Sequence, residues 1–159
     1  MPSDTGTLSL AGDVTEITFE RQLDSPPSVV WQAIATADGV TRWLVTEADM
    51  GDVVGGEVRL VFGDDAVVSG TITERSAELT LAHGWDYGPD ARSAVAWSLT
   101  PSGPGTLLAL SHRGLPPDQA RGYLPGWHAY LDRLASVLAG EESGDWAATY
   151  AAAAERYAD

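Results

Sequence analysis

The stretch from Gly51 to Arg113 most constrains the fold, because its apolar residues alternate with polar ones in short runs separated by turn-forming breakers. The breakers are Gly55-Gly56, Gly63-Asp64-Asp65, Gly88-Pro89-Asp90 and Ser102-Gly103-Pro104-Gly105, and between them a period of two selects one side of each strand. Val58, Leu60 and Phe62 share that side. So do Val68, Gly70 and Ile72; Leu79, Leu81, His83 and Trp85; Val95, Trp97 and Leu99; and Leu108, Leu110 and His112. Such a meander is an antiparallel sheet with one apolar face turned to the core.

A cover for that face follows downstream. After Leu115-Pro116-Pro117, Asp118 is placed to cap a helix that stops at Gly140, and Leu124, Trp127, Leu131, Leu134 and Leu138 recur at three and four residues as a seam to lie on the sheet. Pro125 and Gly126 interrupt the first part of that seam, which predicts a short turn followed by a firm helix. Upstream, Val14 to Leu23 alternates as a first strand and residues 1–13 read as a flexible lead-in. Ser25, before Pro26-Pro27, is placed to cap a helix with Val30, Trp31, Ile34 and Ala37 inward, and Asp38 a second short helix carrying Val40, Trp43 and Leu44. Asp145 caps a terminal helix whose stripe of Trp146, Tyr150, Ala153 and Tyr157 packs on its own domain or on a second subunit, so a homodimer stays open.

Pairing the hairpins so that these faces coincide puts Val68, His83, Val95 and His112 in one cross-strand row. The two histidines then stand about 10 Å apart, on opposite walls of a pocket. In the same register Gly70 faces Leu81 and removes a side chain from the inner face, leaving room for a ligand or a packed aromatic.

Charge and composition exclude several classes of function. The net charge is −14, from 23 acids against 9 bases, all of them arginine. Phosphate backbones and anionic membrane surfaces are therefore repelled, so no nucleic-acid or membrane partner is expected. The lack of lysine and asparagine together points to a GC-rich bacterial gene. No cysteine is present, no apolar run spans a bilayer, and the N-terminus lacks a secretory signal, so a cytoplasmic location is expected.

Motifs for catalysis or metal binding are missing too. His83, His112 and His128 lack the close spacing of a zinc site, and the acidic stretch Glu47, Asp49 and Asp52 lacks alternating calcium ligands and reads as solvated loop. Gly51 to Gly56 is followed by Glu57 where a phosphate loop needs lysine. No G-x-S-x-G elbow occurs, and Ser111, the only serine beside His112, points to the other face. No cofactor and no catalytic residue is assigned.

Several spaced strings together resemble the START-like superfamily, within it the bacterial proteins similar to the C-terminal domain of the Hsp90 ATPase activator. They are Glu20-Arg21, Pro26-Pro27 with Val30-Trp31, Trp43, Gly55-Gly56, Gly70, Gly105-Thr106 with Leu108, Leu110 and His112, and Gly126-Trp127-His128 running into Tyr130-Leu131-Asp132-Arg133-Leu134. The chain departs from the usual pattern at Ser76-Ala77 and at Pro125. The resemblance implies an α+β helix-grip fold: a curved antiparallel sheet of about six strands around a long C-terminal helix, with two short helices after the first strand. Residues 14–140 would form that domain and 141–159 a helical extension. It also implies an apolar cavity between sheet and helix that takes a hydrophobic small molecule.

A binding or carrier function needs only that cavity. An enzyme of the cyclase or hydrolase type would need an acid and a base as well, and a co-chaperone an exposed partner surface. The expected pocket residues are Trp43, His83, Trp85, Trp97, His112, Tyr123 and Trp127. A tryptophan ring offers an apolar wall and one N–H donor. Helical spacing alone makes Trp31 and Trp127 core residues, and His112 fits either a pocket wall or a satisfied core histidine.

Overall fold

The computed structural model describes residues 5–11, 14–63, 66–87, 92–142 and 145–157. Among them are eight strands and four helices: β1 (Thr7–Ala11), β2 (Val14–Leu23), α1 (Pro27–Ala35), α2 (Ala37–Val40), β3 (Glu47–Met50), β4 (Glu57–Phe62), β5 (Ala66–Ser76), β6 (Thr80–Asp86), β7 (Arg92–Ser102), β8 (Gly105–Arg113), α3 (Pro117–Leu138) and α4 (Trp146–Glu155). The strands form one antiparallel sheet in the order β1-β2-β8-β7-β6-β5-β4-β3. Its inner face buries Ile17, Phe19, Leu60, Val68, Ile72, Leu81, Val95, Leu99, Leu108 and Leu110 against Ala120, Trp127, Leu131 and Leu134 of α3.

The sheet thus has eight strands rather than about six, and both additions lie at its edges. β3 is the acidic EADM run read as solvated loop; short, charged edge strands resist pairing with other chains and carry no apolar signal. β1 forms within the segment read as a flexible lead-in, with Leu8, opposite Ile17, packed toward the core.

Register differs from expectation on one side of β6. His83, Val95 and His112 do share a row, but the residue completing it is Ile72, not Val68. The β5–β6 hairpin closes tightly between Ser76 and Thr80, so Arg75 rather than Gly70 faces Leu81, and a bulge between Ile72 and Glu74 then sets Ile72 beside His83. Gly70 instead lets two strands approach: a Cβ there would sit 2.1 Å from the Gly84 carbonyl oxygen. Its missing side chain serves close backbone contact, not ligand space. Leu79, expected on the inner face, is exposed because it lies in the β5–β6 turn, beside Glu78 at φ 64°.

Capping shows the same mixture of agreement and correction. Asp145 accepts from the Ala148 N–H at 3.0 Å as expected, and Gly140 (φ 81°) closes α3 with its N–H on the Val137 carbonyl and that of Glu141 on the Ser136 carbonyl. α2, by contrast, is capped by Thr36, whose hydroxyl accepts from Gly39 at 2.9 Å, because the helix begins one residue before Asp38. Pro26 and Pro116 occupy the N-cap positions of α1 and α3 and offer no side-chain cap, so Ser25 and Asp118 do not serve as caps. α3 also runs unbroken through Pro125. That proline deprives the Arg121 carbonyl of its helical N–H partner, but Ala120 and Trp127 are buried on either side of it and anchor both halves to the sheet.

α4 docks on its own domain. Trp146 stacks on Tyr130 with centroids 4.1 Å apart, and Tyr150 donates to the Gly122 carbonyl at 3.3 Å. Just beyond the helix, the Tyr157 hydroxyl meets His128 Nδ1 at 2.8 Å and accepts from the Gly6 N–H at 2.8 Å. An alanine-rich helix of this length is marginal alone, so these contacts hold it. Deleting residues 143–159 is expected to cost about 2 to 4 kcal/mol, from the lost ring burial and hydrogen bonds. An unchanged urea melt would show that the docking contributes nothing.

Candidate functional site

The inward alternation of β6, β7 and β8 aims His83, Trp85, Trp97 and His112 at the face of α3 that carries Tyr123 and Trp127. These rings form one connected cluster. Trp127 lies 5.2 Å from Trp85, 5.7 Å from Trp97 and 6.0 Å from His112 between centroids. Tyr123 stands edge-on to His112 at 5.2 Å, and His83 stacks on Trp85 at 6.3 Å. Trp43 joins through Trp97 at 6.0 Å and is tied to α1 by its N–H on the Ala33 carbonyl at 2.8 Å. All seven expected pocket residues are therefore brought together, and their rings occupy one another's space between sheet and helix. Phe62 and Tyr130, which were not expected here, extend the cluster toward Trp146.

Hydrogen bonds specify how His112 is used. The indole of Trp127 is a donor only, so its N–H, 2.9 Å from His112 Nδ1, makes that nitrogen the acceptor. The ring proton then resides on Nε2 and is donated to Ser93 Oγ at 2.8 Å, while the Ser93 hydroxyl donates to the Trp85 carbonyl at 2.7 Å. The result is a one-way chain from α3 across β8 and β7 to β6. Burial, followed by the nearby His83, pushes the His112 pKa down to about 3, so the ring is neutral. In this tautomer Nε2 has no lone pair to take a proton from Ser93, and the pair is not a nucleophile with its base. Burial lowers the His83 pKa as well, and its Nδ1–H donates to the Gly84 carbonyl at 2.8 Å.

Ser93 was legible in principle, since it stands two residues before Val95 on the same side of β7. Ser111, the neighbour of His112 in sequence, instead donates to Glu16 Oε2 at 2.8 Å on the other side of the sheet.

Beside the cluster lies a cleft of about 450 Å³ lined by Tyr87, Gln119, Gly122, Tyr123 and Gly126. Tyr123 connects it to the buried rings: its hydroxyl accepts from the Trp85 N–H at 3.4 Å and its ring packs on His112. Glycines four apart on α3 open that side, and a Cβ added at Gly122 would meet nothing within 4 Å. A second groove, of about 390 Å³, runs past Leu44, Phe62, Tyr130, Arg133 and Trp146. Burial raises the Tyr130 pKa to about 12, so its hydroxyl keeps its proton. A further depression, of about 470 Å³, is on the outer face of the sheet among Thr18, Ala82, Ala96 and Ala109, edged by Glu20 and Glu74, with the sheet between it and the histidines. Among the described residues, no three His, Asp or Glu side chains converge as metal ligands.

Solved structures of the same fold cover between 77% and 98% of the chain. CalU16 from Micromonospora echinospora is 24% identical with a TM-score of 0.74, covering 96% of this chain and 92% of its own. A Bordetella parapertussis protein encoded by BPP1335 is 28% identical with a TM-score of 0.72, covering 98% and 90%. MLL2253 from Mesorhizobium loti is 27% identical with a TM-score of 0.72, covering 77% and 96%. No curated protein matches the chain significantly. The sheet gripping α3 and the profile of "Activator of Hsp90 ATPase homolog 1-like protein", which matches residues 24–139, give the same answer: the chain belongs to that family of START-like proteins.

Proposed function

We propose that the protein binds or carries a small, largely apolar molecule, seated in the cleft on α3 and walled by the aromatic cluster behind Tyr123. The observation that carries this reading is the lining: on a chain of net charge −14, the described residues facing the cleft include no charged side chain. Aromatic walls with a few polar anchors suit an apolar ligand. The anchors are the Tyr87 and Tyr123 hydroxyls and the Gln119 amide. Binding is favoured over turnover because both His112 nitrogens are engaged within the protein.

The test is Gly122→Leu, assayed with para-phenylphenol as the probe. A Cβ at Gly122 meets nothing within 4 Å on this cleft-lining position, and replacing a helical glycine gains about 0.5 to 1 kcal/mol of stability. The variant is expected to melt at or above the wild-type temperature while losing saturable quenching of tryptophan emission by the probe. Equal binding by both proteins would place the site elsewhere.

A further inference from the structure

We infer that the cleft selects uncharged ligands and rejects carboxylates of the same shape, so fatty and aromatic acids are not its cargo; this rests on the binding function proposed above. Tyr87, Gln119, Gly122, Tyr123 and Gly126 provide hydroxyl and amide hydrogen bonds but no cation. An anion entering there would exchange its water shell for neutral partners, a loss that only a paired charge offsets. The histidine behind Tyr123 does not supply that charge, because His112 holds a single ring proton and spends it on Ser93. Nor does the protein's wider field, in which 23 acids outnumber 9 bases. Asp118 and Arg121, on neighbouring turns of α3, are exposed and lie outside the lining. The Tyr123 hydroxyl accepts from Trp85 and keeps its own proton for donation, so a neutral ligand bearing a hydroxyl or carbonyl oxygen matches the cleft.

Three probes of one shape separate charge from fit: para-phenylphenol, para-phenylbenzoate and the methyl ester of that acid, titrated by calorimetry at pH 7. The phenol and the ester are expected to bind, and the carboxylate at least about tenfold more weakly, the scale of an unpaired charge partly desolvated. Amide NMR shifts should centre on Gly122 and Gly126. Carboxylate binding as tight as the ester's overturns the inference while leaving the binding function intact. Should such binding vanish in Arg121→Gln, that arginine swings in to pair the anion, and the inference again fails. Binding of the phenol alone would mean that shape, not charge, discriminates, and would overturn it as well. If none of the three binds, the proposed function falls with it.

Discussion

Replacing Trp127 with alanine is expected to lower the stability of the protein by about 3 to 5 kcal/mol, the range for removing a buried tryptophan. Trp127 is 2% exposed and wedges α3 against the sheet, touching Trp85, Trp97, His112 and Tyr130. Its loss creates a void among rings that collapse poorly, because each is held by a further neighbour. It also strands the His112 Nδ1 acceptor, which costs a further share within that range. Trp127→Phe separates the two contributions, since it keeps most of the packing and loses the donor; about 1 to 2 kcal/mol is expected. Urea melts of both variants provide the measurement. A loss below about 1 kcal/mol for the alanine variant would mean that Trp127 does not form the wedge.

Acid should destabilise the fold through His112 in a defined window. The folded pKa is about 3, lowered first by burial and then by His83, whereas an unfolded histidine titrates near 6.5. Between those values the unfolded chain holds a proton that the folded one excludes, so stability rises with pH there. The contribution is complete above about pH 6.5 and is lost progressively as the pH falls toward 3, up to roughly 4 to 5 kcal/mol in all. Protonation at Nδ1 would set two donors face to face, because the Trp127 N–H already points there. His83 is shifted in the same direction and adds to the trend. His112→Gln should flatten the profile of urea midpoint against pH, removing a slope that approaches about 1.4 kcal/mol per pH unit. The acidic residues titrate in both proteins and cancel in the comparison. Parallel profiles would sink the assignment of a neutral, proton-excluding His112.

Much of the site was legible as strand alternation. His83 and Trp85, then Trp97, then His112 fall on inward positions, and the three- and four-residue spacing of Trp127, Leu131 and Leu134 sets the helix against them. Periodicity of this kind survives because burying one face of a strand or helix is the main driving force for folding, and it writes itself into residue order. Turn chemistry was legible for the same local reason at Gly140 and Asp145. It failed at Asp38 because several residues within one turn can cap, and only the path of the entering chain selects Thr36.

What residue order determined, then, is the order of the elements and which side chains face inward; what it left open depends on distances between elements far apart in the chain. The tight β5–β6 hairpin closure and the bulge beyond it, which together put Ile72 rather than Val68 beside His83, arise from pairing β5 with β6, and the single backbone spacing between Gly70 and Gly84 has no local signature. The edge strands β1 and β3 exist because β2 and β4 present free backbone groups to them, while their own residues are largely polar or exposed. Whether the inward rings enclose a void or fill it could not be read from alternation, which gives direction without depth. The separation of α3 from the sheet and the tilt of each ring decide it, and here Trp127 reaches His112 while Ser93 completes the proton chain. The cleft has the same origin: Tyr87 and Gly122 are far apart in sequence, and only the packing of α3 beside the end of β6 brings them to one opening.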